Sequence, residues 1–403
     1  MFPIMVNASA NSLVRIGDNY YDSLIDAIAN AGPNDTITLI DDVKLNESIQ
    51  INKTVNINLN GNNIEATEKV FQVEGGVLNL TGKGTIRETK PNYGAIMIKG
   101  SDDSSDNSYS VVNIGKDVTL EGWSGIFITH NDSKSYGVVV NLNGKINSVN
   151  DVNGDTGIGI YVNGNIKHQN NSPVVNILDG AEIGSTGNGL YIAGASTFNI
   201  GKAYIEGDES AIGIKSRNLN IDGASVVSKG PDYTPTEGYN NGIKASGTAL
   251  QIESNNGYAG NMKINIKSGT LRSENSNVVY EYIGKGTETQ VESMNISGGT
   301  FISESGKDIF RLSDSFKTSN SSFISGGNYT KDPSSYLKSG YTTTLDDNYY
   351  KVIQSTMKEV ISNNSTKTTN NNIIKTIITI VITLLLGFIV YLNRTKILNL
   401  LRK

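Results

Sequence analysis

Apolar and polar positions alternate along this chain in short runs, and one three-residue unit recurs, an asparagine flanked on both sides by apolar residues. The unit occurs nine times, at Asn56, Asn79, Asn113, Asn141, Asn176, Asn199, Asn220, Asn265 and Asn295. A period of two predicts a β-strand whose apolar residues face one side while the asparagine faces the other. One copy cannot bury its apolar face alone, so we expect the copies to stack on each other.

Each repeat contains two further short strands. A Gly-Ile type strand precedes the next triplet, as in residues 125–128 and 189–192, and a weaker strand follows the triplet, as in residues 181–183. Successive asparagines are 21 to 45 residues apart, and three strands with three short turns need roughly the lower figure. A β-propeller blade would need about 40 residues every time. We therefore predict an all-β fold, a parallel β-helix of about nine to ten coils.

A short helix is predicted before the first repeat. Asp22 or Ser23 can cap its N-terminus, and Gly32-Pro33 ends it after Ala31. Its apolar residues share one face. We expect this face to cover the open end of the first coil, because the terminal repeats of a solenoid need caps.

The entry segment at residues 20–39 and the closing segment at residues 296–341 strengthen this interpretation. Together with the repeat they resemble the right-handed, pectin-lyase-like parallel β-helix of surface proteins from low-GC Gram-positive bacteria. The resemblance covers roughly residues 18–352. It implies a right-handed coil but little about activity, because one fold hosts many functions.

Composition narrows the function classes. The balance of 34 basic against 39 acidic residues offers no basic surface for nucleic acid. The absence of cysteine excludes disulfides, zinc-thiolate sites and thiol nucleophiles. We expect neither a cofactor nor a metal, since residues 151–155 resemble a calcium loop only at its start, and Thr156 and Val162 stand where an EF-hand needs Gly and Glu. A looser calcium site within residues 102–106 stays open as an alternative.

The C-terminal segment has the pattern of a membrane anchor. Residues 377–392 carry no charge, and extended back to residue 373 the run reaches about 20 residues, enough to cross a bilayer as a helix. We assign residues 373–393 to this transmembrane helix and residues 356–372 to a polar linker. Residues 394–403 contain basic but no acidic side chains, so the positive-inside rule predicts a cytoplasmic tail and an extracellular β-helix.

The N-terminus fits an exported protein only in part. Residues 1–10 are too short for a signal peptide, yet they end in Ala8-Ser9-Ala10, a small-residue cleavage pattern. We interpret residues 1–10 as the remnant of a truncated signal peptide, residues 11–45 as an N-terminal cap and residues 46–355 as the β-helix. Without a signal peptide, the alternative is a tail-anchored protein whose β-helix is cytoplasmic.

Five insertions fall between a Gly-Ile type strand and the next triplet, at residues 101–109, 130–136, 164–172, 254–261 and 284–292. If the strands stack in register, these loops emerge at one corner and form a rim, and solenoids usually bind ligands where insertions share a face. The candidate ligand-binding residues of this rim are Asp102, Asp103, Asp106, Tyr109, His130, Asp132, Tyr136, His168 and Tyr258. The alternative is that these are solvated loops, tolerated because loop length costs little.

A catalytic function is the weaker hypothesis, and we name no catalytic residue. Glycosidases and lyases of this fold need facing carboxylates, or calcium-binding acids with an Arg or Lys base. Motifs of that kind do not occur in order on successive repeats. The nine asparagines are interpreted as a structural ladder, since stacked side-chain amides can hydrogen-bond along the stack.

The sequence therefore predicts a single-pass, membrane-anchored bacterial cell-surface protein of structural or adhesive function, whose rim binds a glycan or a host-surface protein. The alternative is a polysaccharide-active enzyme, or a carbohydrate-binding module, of pectin-lyase-like fold. Two carboxylates within about 10 Å of each other on an open groove would favour the enzyme. A polar face without such a pair would favour the adhesin.

Overall fold

The computed structural model describes residues 12–129, 135–232 and 246–355. The described residues up to 353 belong to one compact unit. Short strands dominate the described part, and neighbouring strands pair in parallel from one repeat to the next. The predicted β-rich fold with parallel, stacked repeats is confirmed.

Each coil contributes three strands, which form three stacks. The first stack is Thr36–Leu39, Thr54–Asn58, Val77–Thr81, Ser110–Ile114, Val138–Leu142, Val174–Ile177, Thr197–Ile200 and Val291–Ile296. The second stack is Val43–Leu45, Ile64–Ala66, Gly84–Glu88, Val118–Gly122, Lys145–Ser148, Glu182–Ser185, Tyr204–Gly207, Thr300–Ser303 and Asn328–Tyr329. Two long strands, Ser216–Ser228 and Gly260–Ser273, run through both of these stacks.

The third stack is a separate sheet of ten parallel strands. Its strands are Ile49–Ile51, Phe71–Glu74, Ile96–Lys99, Ser124–Ile128, Ile158–Val162, Leu190–Ile192, Ile212–Ile214, Leu250–Asn255, Val279–Lys285 and Phe310–Arg311. They are the Gly-Ile type strands of the repeat. Each coil therefore returns through the third stack before it enters the next asparagine triplet.

The core is a continuous column of apolar side chains enclosed by the three stacks. In the third stack, Ile96, Ile126, Ile160, Leu190 and Ile212 are direct neighbours in register. All five are buried. Because alternate side chains of a strand face opposite sides, one face of each strand supplies this column and the other faces outward.

The nine asparagines form a hydrogen-bonded ladder on the outer side of the first stack. They are register partners from coil to coil. Each side-chain Nδ2 donates to the Oδ1 of the asparagine on the preceding coil, over 2.6 to 3.0 Å in seven bonds and 3.4 Å in the last. At the ends, Asn56 donates to the Asp35 carbonyl over 2.8 Å, and Asn295 accepts from Lys338 over 2.8 Å.

Both ends of the solenoid depart from parallel pairing. At the N-terminal end, Val14–Ile16 pairs antiparallel with Asn19–Tyr21 and with Thr36–Leu39. At the C-terminal end, Tyr349–Gln354, which follows Tyr341–Asp346, pairs antiparallel with Asn328–Tyr329. These strands cover sheet edges that would otherwise be open to pairing with another chain.

Two short helices contribute to the core. Helix α1, Leu24–Asn30, has Ser23 rather than Asp22 as its N-cap, and the Ser23 hydroxyl accepts the Asp26 backbone N–H over 3.3 Å. Helix α2, Asp314–Ser319, was not predicted from the sequence, because six residues are too few to establish a helical period. Its Phe316 is buried with its ring centroid 5.7 Å from that of Phe323. A 3-10 turn at Ser334–Tyr336 follows.

The predicted anchor at residues 373–393, the linker at 356–372, the tail at 394–403 and the signal-peptide remnant at 1–10 lie outside the described residues. Within the described ranges, no helix combines the length and the apolar composition that crossing a bilayer requires.

We expect Asn141→Ala to lower the free energy of unfolding by about 1–3 kcal/mol, because it removes the partners of the half-buried Asn113 and Asn176 side chains. The matched control is Asn147→Ala, an exposed position on the second-stack strand of the same coil, with an expected change within about 0.5 kcal/mol. Chemical denaturation of both variants measures the difference. Equal effects of the two substitutions would contradict a stabilising ladder.

Candidate functional site

The described loops of the predicted rim all leave the end of a third-stack strand and enter a first-stack strand, so they share one corner of the coil. His130 and Asp132 lie outside the described residues. The rim residues that the structure describes are Asp102, Asp103, Asp106, Tyr109, Tyr136, His168 and Tyr258.

Tyr136 and His168 bring neighbouring rim loops into contact. Their ring centroids are 3.9 Å apart, with the planes inclined by 30°. The backbone of Tyr136 also pairs with Ser101, through hydrogen bonds of 2.9 and 3.0 Å. Farther along, Asn171 Nδ2 donates to the Ser104 carbonyl over 2.8 Å. These contacts join the loops of three successive coils into one surface.

Asp103 and Tyr109 are engaged within the same region. The Asp103 carboxylate accepts the backbone N–H of Ser105 over 2.9 Å and its hydroxyl over 2.8 Å, and these bonds lower the Asp103 pKa. The Tyr109 ring packs over Gly75, where a Cβ would lie 3.1 Å from the ring. Over the described part of the chain, no three His, Asp or Glu side chains are grouped as a metal site would need.

A larger cluster lies on the outer face of the third stack. The register places Phe127, Tyr161 and Tyr191 at the same position on three successive coils. Successive ring centroids are 4.8 and 4.9 Å apart, and the Trp123 ring lies 5.8 Å from that of Tyr161. The 4.8 and 4.9 Å separations follow from the strand spacing of about 4.8 Å, which suits ring stacking. We call Phe127, Tyr161 and Tyr191 the aromatic stripe.

Tyr258 connects the rim to the aromatic stripe. Its ring lies against Gly164, where a Cβ would be only 2.4 Å from a ring carbon, so a larger residue there would displace Tyr258. Its hydroxyl is 3.2 Å from Lys215 Nζ. Tyr161 and Tyr191 are correspondingly well covered, with 8% and 2% of their surfaces exposed.

A buried ion pair lies beside Tyr258. Lys215 Nζ is 2.7 Å from Glu253 Oε2, and the two side chains are only 3% and 8% exposed. The same ammonium is 4.4 Å from the Tyr258 ring centroid and 5.1 Å from that of Tyr191. Asn255 Nδ2 donates to the other carboxylate oxygen, Glu253 Oε1, over 2.6 Å. Because desolvation offsets the attraction within a buried ion pair, stability alone is a weak reason for this arrangement.

An open cleft of about 410 Å³ borders this cluster. It presents carboxamides, two ammonium groups and the half-buried Tyr258 ring. Its lining residues are Tyr161, Asn163, Gly164, Asn165, Lys167, Tyr191, Asn255, Gly257, Tyr258 and Lys285. This described lining contains no carboxylate. The lining is mainly polar, which suits a small polar ligand whose hydroxyl groups can hydrogen-bond to the carboxamides and ammonium groups.

Burial keeps the tyrosines of this region neutral. Burial raises the pKa of the Tyr161 phenol to about 12, with a smaller contribution from Tyr258. Burial and the neighbouring Tyr258 raise the Tyr191 pKa well above its usual value. The pKa of Tyr282, which lies beside Glu253, is also raised by burial. A phenol is protonated near neutral pH in any case, and burial extends this hydrogen-bond-donating state of the three tyrosines to higher pH.

The aromatic stripe was not predicted, although the sequence contains a signal for it. Phe127, Tyr161 and Tyr191 each follow an isoleucine or leucine in a Gly-Ile type strand, so aligning those strands would have stacked them. The sequence contains no such signal for the ion pair of Lys215 and Glu253. They are 38 residues apart, and only the register between coils makes them neighbours.

Comparison of the chain with protein-family models, with curated proteins and with solved structures finds no match. The fold and the site therefore define the class by themselves. It is a parallel β-solenoid with an aromatic cleft on the outer face of its third stack.

The raised pKa of Tyr161 predicts a loss of stability at high pH. Tyr161 loses its proton near pH 10 when unfolded and near pH 12 when folded, so the folded state holds more protons between these values. Its contribution, about 2–3 kcal/mol, is present below pH 10 and lost as the pH rises to 12. We expect Tyr161→Phe to flatten this decline in thermal unfolding measured from pH 8 to 12. Tyr20→Phe, at an exposed tyrosine, is the control; the same flattening in both variants would contradict the assignment.

Proposed function

We propose that this chain is a bacterial cell-surface protein of structural or adhesive function, which binds a glycan in the cleft of the third stack. The observation that carries the proposal is the cleft lining, with three tyrosines, three asparagines and two lysines and no carboxylate. The half-buried Tyr258 ring can pack on the apolar face of a sugar, while carboxamides and ammonium groups bond to hydroxyl and acidic groups. This lining suits binding better than bond cleavage.

The proposal includes a right-handed, pectin-lyase-like β-helix held at the membrane. The parallel coils of three strands support a fold of this type. Residues 373–393 are proposed to span the membrane once, with residues 394–403 in the cytoplasm and the β-helix outside. In this arrangement the cleft and the rim face the surroundings of the cell, where glycans and host-surface proteins are the available partners.

The rim extends the proposed binding surface beyond the cleft. Tyr258 belongs to both, and the Tyr136–His168 contact keeps neighbouring loops together. A ligand longer than one or two sugar units would meet these loops next. The further rim residues proposed as contacts are Asp102, Asp103, Asp106, Tyr109, Tyr136 and His168, with His130 and Asp132 of the sequence.

The enzyme alternative requires two carboxylates that face a groove. Glu253 lies beside the cleft, but Lys215 and Asn255 occupy its two oxygens. Glu88 is another buried carboxylate among the described residues, and burial raises its pKa. Its oxygens accept the backbone N–H groups of Tyr93 and Trp123, so it holds a turn together. These contacts favour binding over catalysis.

We expect the full-length protein in detergent to bind a subset of glycans on an array. The double substitution Asn165→Ala with Lys167→Ala should weaken that binding at least about tenfold, because it removes a carboxamide and an ammonium group from the cleft wall. Titration with the best array ligand measures the loss.

The matched control is Asn46→Ala with Lys44→Ala, which changes the same two residue types at the same spacing on an exposed strand end away from the cleft lining. This pair should leave the affinity unchanged. Equal losses in both double variants, or no glycan bound at all, would contradict the proposed site. Shortening of the bound glycan during incubation would instead support the polysaccharide-active enzyme.

A further inference from the structure

One carboxylate in the third stack holds an amine and an amide at the same time. Glu253 Oε2 is 2.7 Å from Lys215 Nζ, and Glu253 Oε1 accepts from Asn255 Nδ2 over 2.6 Å. The Asn255 Oδ1 in turn accepts the backbone N–H of Gly257 over 2.8 Å. A nucleophile, a proton carrier, an amide carbon and a donor to the amide oxygen are thus assembled from four residues.

We propose that Lys215 and Asn255 become joined by an intramolecular isopeptide bond, formed without any added enzyme, with Glu253 as the proton carrier. The inference does not rest on glycan binding, although Asn255 also lines the cleft. It rests on the shared carboxylate and on the burial of the ion pair, since 3% and 8% exposure leaves the lysine and the glutamate almost no contact with water.

The reaction begins with transfer of a proton from the Lys215 ammonium to Glu253 Oε2, which leaves a neutral amine. The amine nitrogen attacks the Asn255 Cγ, a C–N bond forms, and the carbonyl electron pair moves to Oδ1. The Gly257 N–H is already placed to stabilise the negative charge on that oxygen. Because both reactants are held on one carboxylate, the step is effectively unimolecular.

The intermediate collapses with loss of ammonia. The protonated carboxyl group of Glu253 rotates about its Cγ–Cδ bond, which brings its O–H to the asparagine nitrogen; the proton is transferred, the Cγ–Nδ2 bond breaks, and ammonia leaves. The carboxylate then takes the extra proton from the new amide nitrogen and passes it to the departing ammonia. The net change converts a lysine ammonium and an asparagine amide into a secondary amide and an ammonium ion, with Glu253 regenerated and no oxidant or cofactor consumed.

Aromatic side chains shield the lysine end of this cluster from water. The Tyr258 and Tyr191 rings lie 4.4 and 5.1 Å from the lysine nitrogen. An amine has a lone pair with which to attack and an ammonium has none, so the attack follows the proton transfer to Glu253. The bond would link the strand Ile212–Ile214 to the strand Leu250–Asn255, on either side of the longest spacing in the repeat.

The intact mass of the full-length protein, purified in detergent, tests the proposal directly. We expect a mass lower than that of the sequence by about 17 Da, which corresponds to one ammonia. Tryptic digestion should fail to cleave after Lys215 and should give one branched peptide that contains both Lys215 and Asn255, identified by tandem mass spectrometry. An intact mass equal to that of the sequence overturns the proposal without any variant.

Variants separate this bond from other losses of ammonia. Lys215→Arg, Glu253→Gln and Asn255→Ala should each restore the full mass, whereas Lys285→Arg, which alters a lysine lining the same cleft, should keep the deficit. Cyclisation at Asn256-Gly257 also removes ammonia, but it does not require Lys215 and is cleaved by hydroxylamine. A deficit that persists in Lys215→Arg overturns the proposal.

Discussion

The parallel in-register stacking of coils is the constraint on which the rest of this molecule depends. A backbone that repeats at the strand spacing places equivalent residues of successive coils side by side, about 4.8 Å apart. Residues that are distant in sequence thereby become nearest neighbours. This geometry is stable only if equivalent side chains of successive coils can lie next to each other. It therefore favours apolar groups inside and, outside, groups that can pair with their own kind.

The outer columns show three solutions to this requirement. Asparagine pairs with asparagine because a carboxamide both donates and accepts. Aromatic rings stack, as in Tyr161 on Tyr191. Charged residues alternate in sign, as in the second stack, where Arg87 is 2.7 Å from both Glu65 on one side and Glu121 on the other. The ladder and the ion pairs serve the scaffold, whereas the aromatic stripe also borders a cleft.

The repeated parts of this structure could be predicted from the sequence, whereas features that depend on one particular contact could not. The asparagine triplets and the Gly-Ile strands gave the three-strand coil, because every copy carries the same alternation. They also predicted that the rim loops emerge at one corner of the coil. The burial of Lys215 with Glu253 could not be predicted, since it depends on which coil follows a long insertion. Tyr258 was recognised as a rim residue, yet its place across Gly164 depends on how its loop folds back, and no local pattern encodes that.

The asparagine ladder has a direction. Every carboxamide donates toward the preceding coil, so reversing one of them would bring two donors together on one side and two acceptors together on the other. The orientation of each amide is therefore coupled to that of its neighbours, and the dipoles of nine side chains add along the stack. The negative end of this array is Asn295 Oδ1, and the ammonium of Lys338 lies there, as a cation does at the C-terminus of a helix. Lys338 at the last coil and the backbone carbonyls of Pro33 and Asp35 at the first coil therefore favour the same polarity of the whole hydrogen-bond chain.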